Sequence, residues 1–323
     1  MSSINTNTSA MNALATLRNV NSNLGTTQDR ISTGLKVSSG KDNAAYFAIS
    51  ETMKGDSGMT KAVNESLTLT KNSVATARLG AEQFSDLATE FRDKVAFAQE
   101  NKGGLDEIEA DLTRLVADMA AIMSQSTFNG DDLVNAAKSD NAATPAASTP
   151  LALDVYGDTA TASTSAAAAD REIITGISRD AGGTLQTTKI TVSPVDLNKQ
   201  LETFSAIATD FSTRAAATGD VDTDGTIDGD QYLANVLTLA DTATQATVDA
   251  ATSLGQSEKS IERQQEFLTK LSDNLDSGVG AMVDANMEEE AARLQALQVQ
   301  QQLASQSLSI ANQAPQNILS LFR

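Results

Sequence analysis

Apolar residues recur at alternating three- and four-residue steps through two long stretches of the chain. In the first, Val63, Leu67, Val74, Ala77, Ala81, Phe84, Ala88, Phe91, Val95 and Ala98 follow that rhythm, with Thr70 as the one polar member. This spacing gathers the residues on one stripe of a helix and favours coiled-coil-like packing. At about 1.5 Å per residue, such a helix runs roughly 50 Å or more. Gly103 and Gly104 end it, and a second seam follows at once: Leu105, Ile108, Leu112, Leu115, Met119 and Ile122. So short a link predicts two antiparallel neighbours.

The pattern returns later. Leu233, Ala240, Thr247, Leu254, Ile261, Leu268 and Leu275 recur every seven residues, with Val236, Ala243, Ala250, Ser257, Gln264 and Leu271 between them. A strict seven-residue period favours supercoiled packing. Asp273 to Gly280, rich in Asp, Ser and Gly, reads as a break. The prolines agree with this division: none precedes Pro145, and none lies between Pro194 and Pro315, which leaves two long windows open to helix.

The middle differs. Ala136 to Pro150 and Thr159 to Ala169 are rich in Ala, Ser and Thr and read as loops or low-complexity linkers. Leu151–Tyr156, Glu172–Ser178 and Thr184–Ser193 are short β-branched runs that predict strands. Ser193 then Pro194 predicts a helix start, and Leu197, Leu201, Phe204, Ala208 and Phe211 continue it as one stripe.

Charge is missing at both ends. Met1 to Leu17 and Leu294 to Phe322 contain no Asp, Glu, Lys or Arg. Neither is oily enough for a membrane span, and no apolar run approaches ~18 residues. The N-terminal segment places Ala10, Leu14, Leu17, Val20, Leu24, Ile31 and Leu35 at helical spacing. The C-terminal segment carries two stripes: Leu294, Leu297, Ala304, Leu308 and Ala311, and then Ala296, Val299, Leu303 and Ile310. A helix with two apolar stripes has more than one neighbour. Pairing of the two ends within one chain uses one stripe and leaves the other exposed, and an exposed stripe marks an interaction surface. The candidate assembly surface is therefore Leu14, Leu17, Leu24, Ile31, Leu294, Leu297, Leu303, Leu308, Ile310 and Leu319.

Composition narrows the chemistry. Cys and His are both absent, which removes thiol chemistry, the commonest general base and most zinc sites. No pocket-forming pattern points to carboxylate-only catalysis, so no enzyme is expected. The formal net charge of −19 opposes binding to nucleic acid and anionic membranes. Met1–Leu17 has no basic n-region, so export, if any, is expected without a cleaved signal peptide.

One acidic run invites a metal. Asp220, Asp222, Asp224 and Asp228, with Gly225 at the sixth position, have the spacing of a calcium loop. The twelfth position is Gln231 instead of a bidentate glutamate. The same residues also read as an acidic turn at the start of a helix near Gln231, where negative charge suits the dipole. No other cofactor is expected. Ser and Thr of the middle segment are candidate O-glycan acceptors, on composition alone.

Certain residues at the ends are recognisable. Ile4-Asn5-Thr6-Asn7, Arg30-Ile31-Ser32-Thr33-Gly34-Leu35-Lys36 and Lys41-Asp42-Asn43-Ala44-Ala45 resemble the N-terminal signature of bacterial flagellins. Thr127-Phe128-Asn129-Gly130 resembles the turn closing their N-terminal hairpin. The last thirteen residues, from Ala311-Asn312-Gln313-Ala314-Pro315 to Phe322-Arg323, are similar to the flagellin terminus almost residue for residue. One departure stands before Asp284, where Met282 and Val283 occupy a stretch that often carries an arginine.

The resemblance implies a mostly α protein: a long coiled-coil-like helical bundle with N- and C-terminal helices paired, plus a small β-containing outer insert. It implies a terminal core from residues 1–50 and 281–323 lining the inner tube of a filament, a heptad rod from 51–135 and 230–280, and a solvent-facing insert at 136–229. The implied partners are other copies of the chain, the flagellar export machinery with its chaperone, and the filament cap and hook-junction proteins; the implied location is the extracellular flagellum. Two alternatives remain: a hook–filament junction protein sharing these end helices, and an adhesin or calcium-binding module in the insert.

Overall fold

A computed structural model describes residues 7–135, 152–153, 157, 159–161, 170–180, 184–217 and 228–321. The chain divides into two compact units, residues 1–58 with 271–323 and residues 59–270. Helices α2 (Ala44–Glu100) and α6 (Gly229–Val283) contribute to both.

The first unit contains α1 (Thr8–Thr33) and α7 (Met287–Leu321), together with the near parts of α2 and α6. Each helix end has a chemical reason. Asn7 caps α1, its Oδ1 accepting from the Ala10 N–H at 3.1 Å. Gly34 ends α1 at φ 73°, a left-handed conformation that glycine adopts without a Cβ clash. Asn43 and Asn286 accept backbone N–H groups of the first turns of α2 and α7. Glu288, Glu289 and Glu290 follow in the first turn of α7, on the positive end of its dipole. Between α1 and α2, Leu35 bridges Asp284, and the Lys36 N–H donates to the Val283 carbonyl at 2.6 Å. Val37, Val279 and Val283 form a small core there, with Phe47, Met53 and Met282 packed on it.

In the second unit the two heptad seams are buried. Every residue of the first seam, from Val63 to Ala98, lies in the core, and Leu233, Ala240, Leu254, Ile261 and Leu268 of α6 meet them. Polar pairs fasten the flank: Asn64 with Thr269, Thr68 with Gln265, Lys71 with Glu262 and Arg78 with Glu258. Numbers falling on one helix as they rise on the other define an antiparallel pair. Helix α3 (Leu105–Gln125) folds back, with Leu105, Ile108, Leu112, Leu115 and Met119 buried. Helices α4 (Leu197–Ala208) and α5 (Phe211–Ala215) complete the core, where the Phe204 ring centroid lies 4.9 Å from that of Phe91.

The strands form small antiparallel pairs. Strands β1 (Thr127–Phe128) and β2 (Asp131–Asp132) are joined by Asn129 and Gly130, both at positive φ, as a tight hairpin of matching twist requires. Strands β3 (Ala152–Leu153) and β4 (Thr159–Thr161) pair, as do β5 (Arg171–Arg179) and β6 (Leu185–Val192). A bulge at Thr175 turns its carbonyl to Gln264 of α6, which donates to it at 2.8 Å.

Four expectations change. The break at Asp273 to Gly280 does not occur; α6 runs unbroken to Val283. Packing overrides composition there: Ser57 bonds Ser272 and Asp276, and a side chain at Gly278 would meet the Met53 methyl at 2.9 Å. Pro194 does not open a helix, because the Val195 and Leu197 N–H groups donate to Leu133 and Val134; α4 starts at Leu197, capped by Asp196. The Leu197–Phe211 stripe is split at Asp210, φ 54°. Thr159–Thr161, expected as part of a loop, forms strand β4 against β3. Of the Leu151–Tyr156 run, only Ala152 and Leu153 lie among the described residues.

Candidate assembly interface

Helices α1 and α7 run antiparallel, and three contacts set their register. The Asn7 side-chain amide donates to the Ala311 carbonyl at 2.8 Å, Gln301 donates to Asn21 at 2.8 Å, and Arg30 meets Glu290 at 3.2 Å. Burial shows which positions meet. On α1, Val20 and Thr27 are buried and Ala10, Ala13, Leu17, Leu24 and Ile31 half-buried; on α7, Glu290, Leu297 and Ala304 are buried and Leu294, Gln301, Leu308 and Ala311 half-buried. Both sets follow the three–four rhythm of a coiled-coil seam. Small side chains at Ala10, Ala13, Ala304 and Ala311 permit close approach.

One stripe of α7 is thereby used, and the second is not. Val299, Leu303 and Ile310 are 56%, 59% and 69% exposed. On α1, Met11 and Leu14 are also exposed. The candidate residues thus divide: Leu17, Leu24, Ile31, Leu294, Leu297 and Leu308 lie on the α1–α7 seam, while Leu14, Leu303 and Ile310 face outward. The side chain of Leu319 lies outside the described residues.

Sequence reasoning passed over the polar seam members. Glu290 is only 5% exposed. Its Oε1 accepts from Arg30 and, at 3.4 Å, from Arg293, while Oε2 makes no hydrogen bond among the described residues. Thr27 and Gln301 are invisible to a count of apolar residues alone; extending the three–four rhythm through polar positions would have found all three.

The calcium expectation falls mostly outside the described residues. Asp220, Asp222 and Asp224 lie outside them; the Asp228 carboxylate accepts from the Asp230 N–H at 3.0 Å, at the start of α6. No group of three or more potential metal ligands occurs among the described residues. A cleft of about 920 Å³ in the second unit is lined in part by Leu69, Ser73, Asp131 and Arg171. Its Asp131 carboxylate is already engaged by the Ser73 hydroxyl and the Arg171 guanidinium. No described helix is long and apolar enough to cross a membrane.

Residues 4–139 match the bacterial flagellin N-terminal helical region, and residues 237–322 the bacterial flagellin C-terminal helical region. The chain is 33% identical to a flagellin of Brucella melitensis, with each chain covered in full. It is 32% identical to flagellin C of Rhizobium meliloti, again over the full length of both. It is 30% identical to flagellin FljM of Caulobacter vibrioides, over all of this chain and 99% of that one.

Proposed function

The chain belongs to the bacterial flagellin family and is a structural subunit of the flagellar filament, and from that premise we propose how its ends build the filament. The α1–α7 pair is the contact between copies. The observation that carries this is the exposed stripe Val299, Leu303 and Ile310, on a helix whose opposite stripe is already packed. The α7 surface around that stripe carries glutamine and serine and no charge after Arg293, so another copy can cover it without burying an ion.

The partner is a second copy of the chain, the pair repeating along the filament. The terminal residues 1–50 and 281–323 line its inner tube, 51–135 with 230–280 form the next shell, and 136–229 face solvent. Before assembly the chain travels unfolded through the export channel with a chaperone; the absence of cysteine suits threading. Cap and hook-junction proteins meet the two filament ends. Full-length similarity to flagellins favours a filament subunit over a junction protein. Negative-stain microscopy of the purified protein tests the reading: long tubular filaments support it, and a monodisperse particle under polymerising conditions opposes it.

A further inference from the structure

Proline inside a helix leaves the carbonyl four residues earlier without its N–H partner and usually ends the helix. Pro315 does the first but not the second. Helix α7 extends from Met287 to Leu321, and the carbonyl that Pro315 orphans, that of Ala311, receives the Asn7 side-chain amide at 2.8 Å. Both ends of the Asn7 amide are engaged. Its Oδ1 caps α1 by accepting from the Ala10 N–H, and its Nδ2 crosses to α7. An asparagine suits this position because one end of its amide accepts while the other donates. Aspartate can cap a helix but has no donor, and serine has only one short hydroxyl where the amide has a separate acceptor and donor.

We propose that Asn7 is the positioning residue that lets α7 run past Pro315, so that docking of α1 and ordering of the last helical turns are one event. Without Asn7, Ala311 keeps an unpaired carbonyl and the helix loses its reason to continue beyond it. The proline then acts as a check: the terminal turns form only on a correctly placed α1. This explains why a helix breaker is compatible with a pairing surface, and it fixes the register at the end farthest from Arg30 and Glu290.

The inference rests on the filament reading only for the state in which it is measured. The test is a cycle of Asn7→Ser, Pro315→Ala and both together in the full chain, reading the critical concentration for polymerisation. Serine preserves the cap, and alanine restores the missing N–H. Asn7→Ser is expected to raise the critical concentration about fivefold in the unaltered background. In the Pro315→Ala background the same change is expected to shift it less than about twofold, because Ala311 then has its own donor. An equal effect in both backgrounds overturns the proposal, and so does loss of filaments in Pro315→Ala alone. Failure of the unaltered chain to polymerise overturns the filament reading itself.

Discussion

Leu303 and Ala304 are consecutive on α7, about 100° apart around its axis, yet the small Ala304 is buried while the larger Leu303 is 59% exposed. A monomer that had to satisfy only itself would bury the leucine, since burial of a leucine side chain is worth about 1.5–3 kcal/mol. The assignment makes sense when the alanine face receives a close helix within the chain and the leucine face receives one from outside.

Close approach within the second unit depends on Gly80. A Cβ there would lie 1.8 Å from the Ser126 hydroxyl oxygen, which itself donates to the Ile122 carbonyl at 2.6 Å. Gly80→Ala is expected to destabilise this unit by about 1–3 kcal/mol, through overpacking where α3 ends. Urea unfolding followed by circular dichroism measures it; an unchanged midpoint would show that Ser126 can swing aside freely.

The Arg30–Glu290 contact predicts an asymmetry between single and double substitutions. Arg30→Met leaves the buried Glu290 carboxylate with only its longer Arg293 contact at 3.4 Å and is expected to cost about 2–3 kcal/mol of terminal pairing. Adding Glu290→Leu removes the poorly compensated charge and is expected to recover most of that loss. Thermal melting of the filament reads both. A double variant as weak as the single one shows that the carboxylate was never the problem.

Tyr232 supplies a pH dependence. Its ring is buried and its hydroxyl donates to the Ile207 carbonyl at 3.4 Å. Burial pushes its pKa up to about 12 from an ordinary 10.0, partly opposed by the nearby Arg214 cation. A raised folded-state value holds the proton more tightly than the unfolded chain does. The stabilisation is therefore fully present below pH 10 and is lost as pH rises toward 12, by about 2–3 kcal/mol. Tyr232→Phe cannot ionise, so the difference in unfolding free energy between the two proteins should shrink or reverse between pH 9 and pH 11.5. A constant difference contradicts the buried-phenol explanation.

The long seams were legible in the sequence because periodicity over many turns averages out single exceptions. Val63 to Ala98 and Leu233 to Leu268 show this, with Thr70 and Thr247 buried in step with their apolar neighbours. Local signals fared less well. Asp273 to Gly280 has the composition of a loop, yet Ser57 and Met53 pack against it as helix. Ser193 and Pro194 have the order of a helix start, yet the backbone beside them is claimed by residues 133–135. On α1, counting apolar residues chose Leu14 over Ala13, although Ala13 lies on the α7 side and Leu14 is exposed. Tertiary contact decided each of these, and no window of neighbouring residues contains it.

The most direct measurement is electron microscopy of a Leu303→Glu chain beside the unaltered one and a Gln186→Glu control on the exposed β6 strand. If another copy covers Leu303, the substitution buries an unpaired carboxylate at a cost of several kcal/mol in every subunit. The expected result is soluble, helical Leu303→Glu protein without filaments at neutral pH, while the control polymerises normally. Filaments of normal diameter from Leu303→Glu would contradict the claim, because they would show that this face of α7 stays in solvent after assembly.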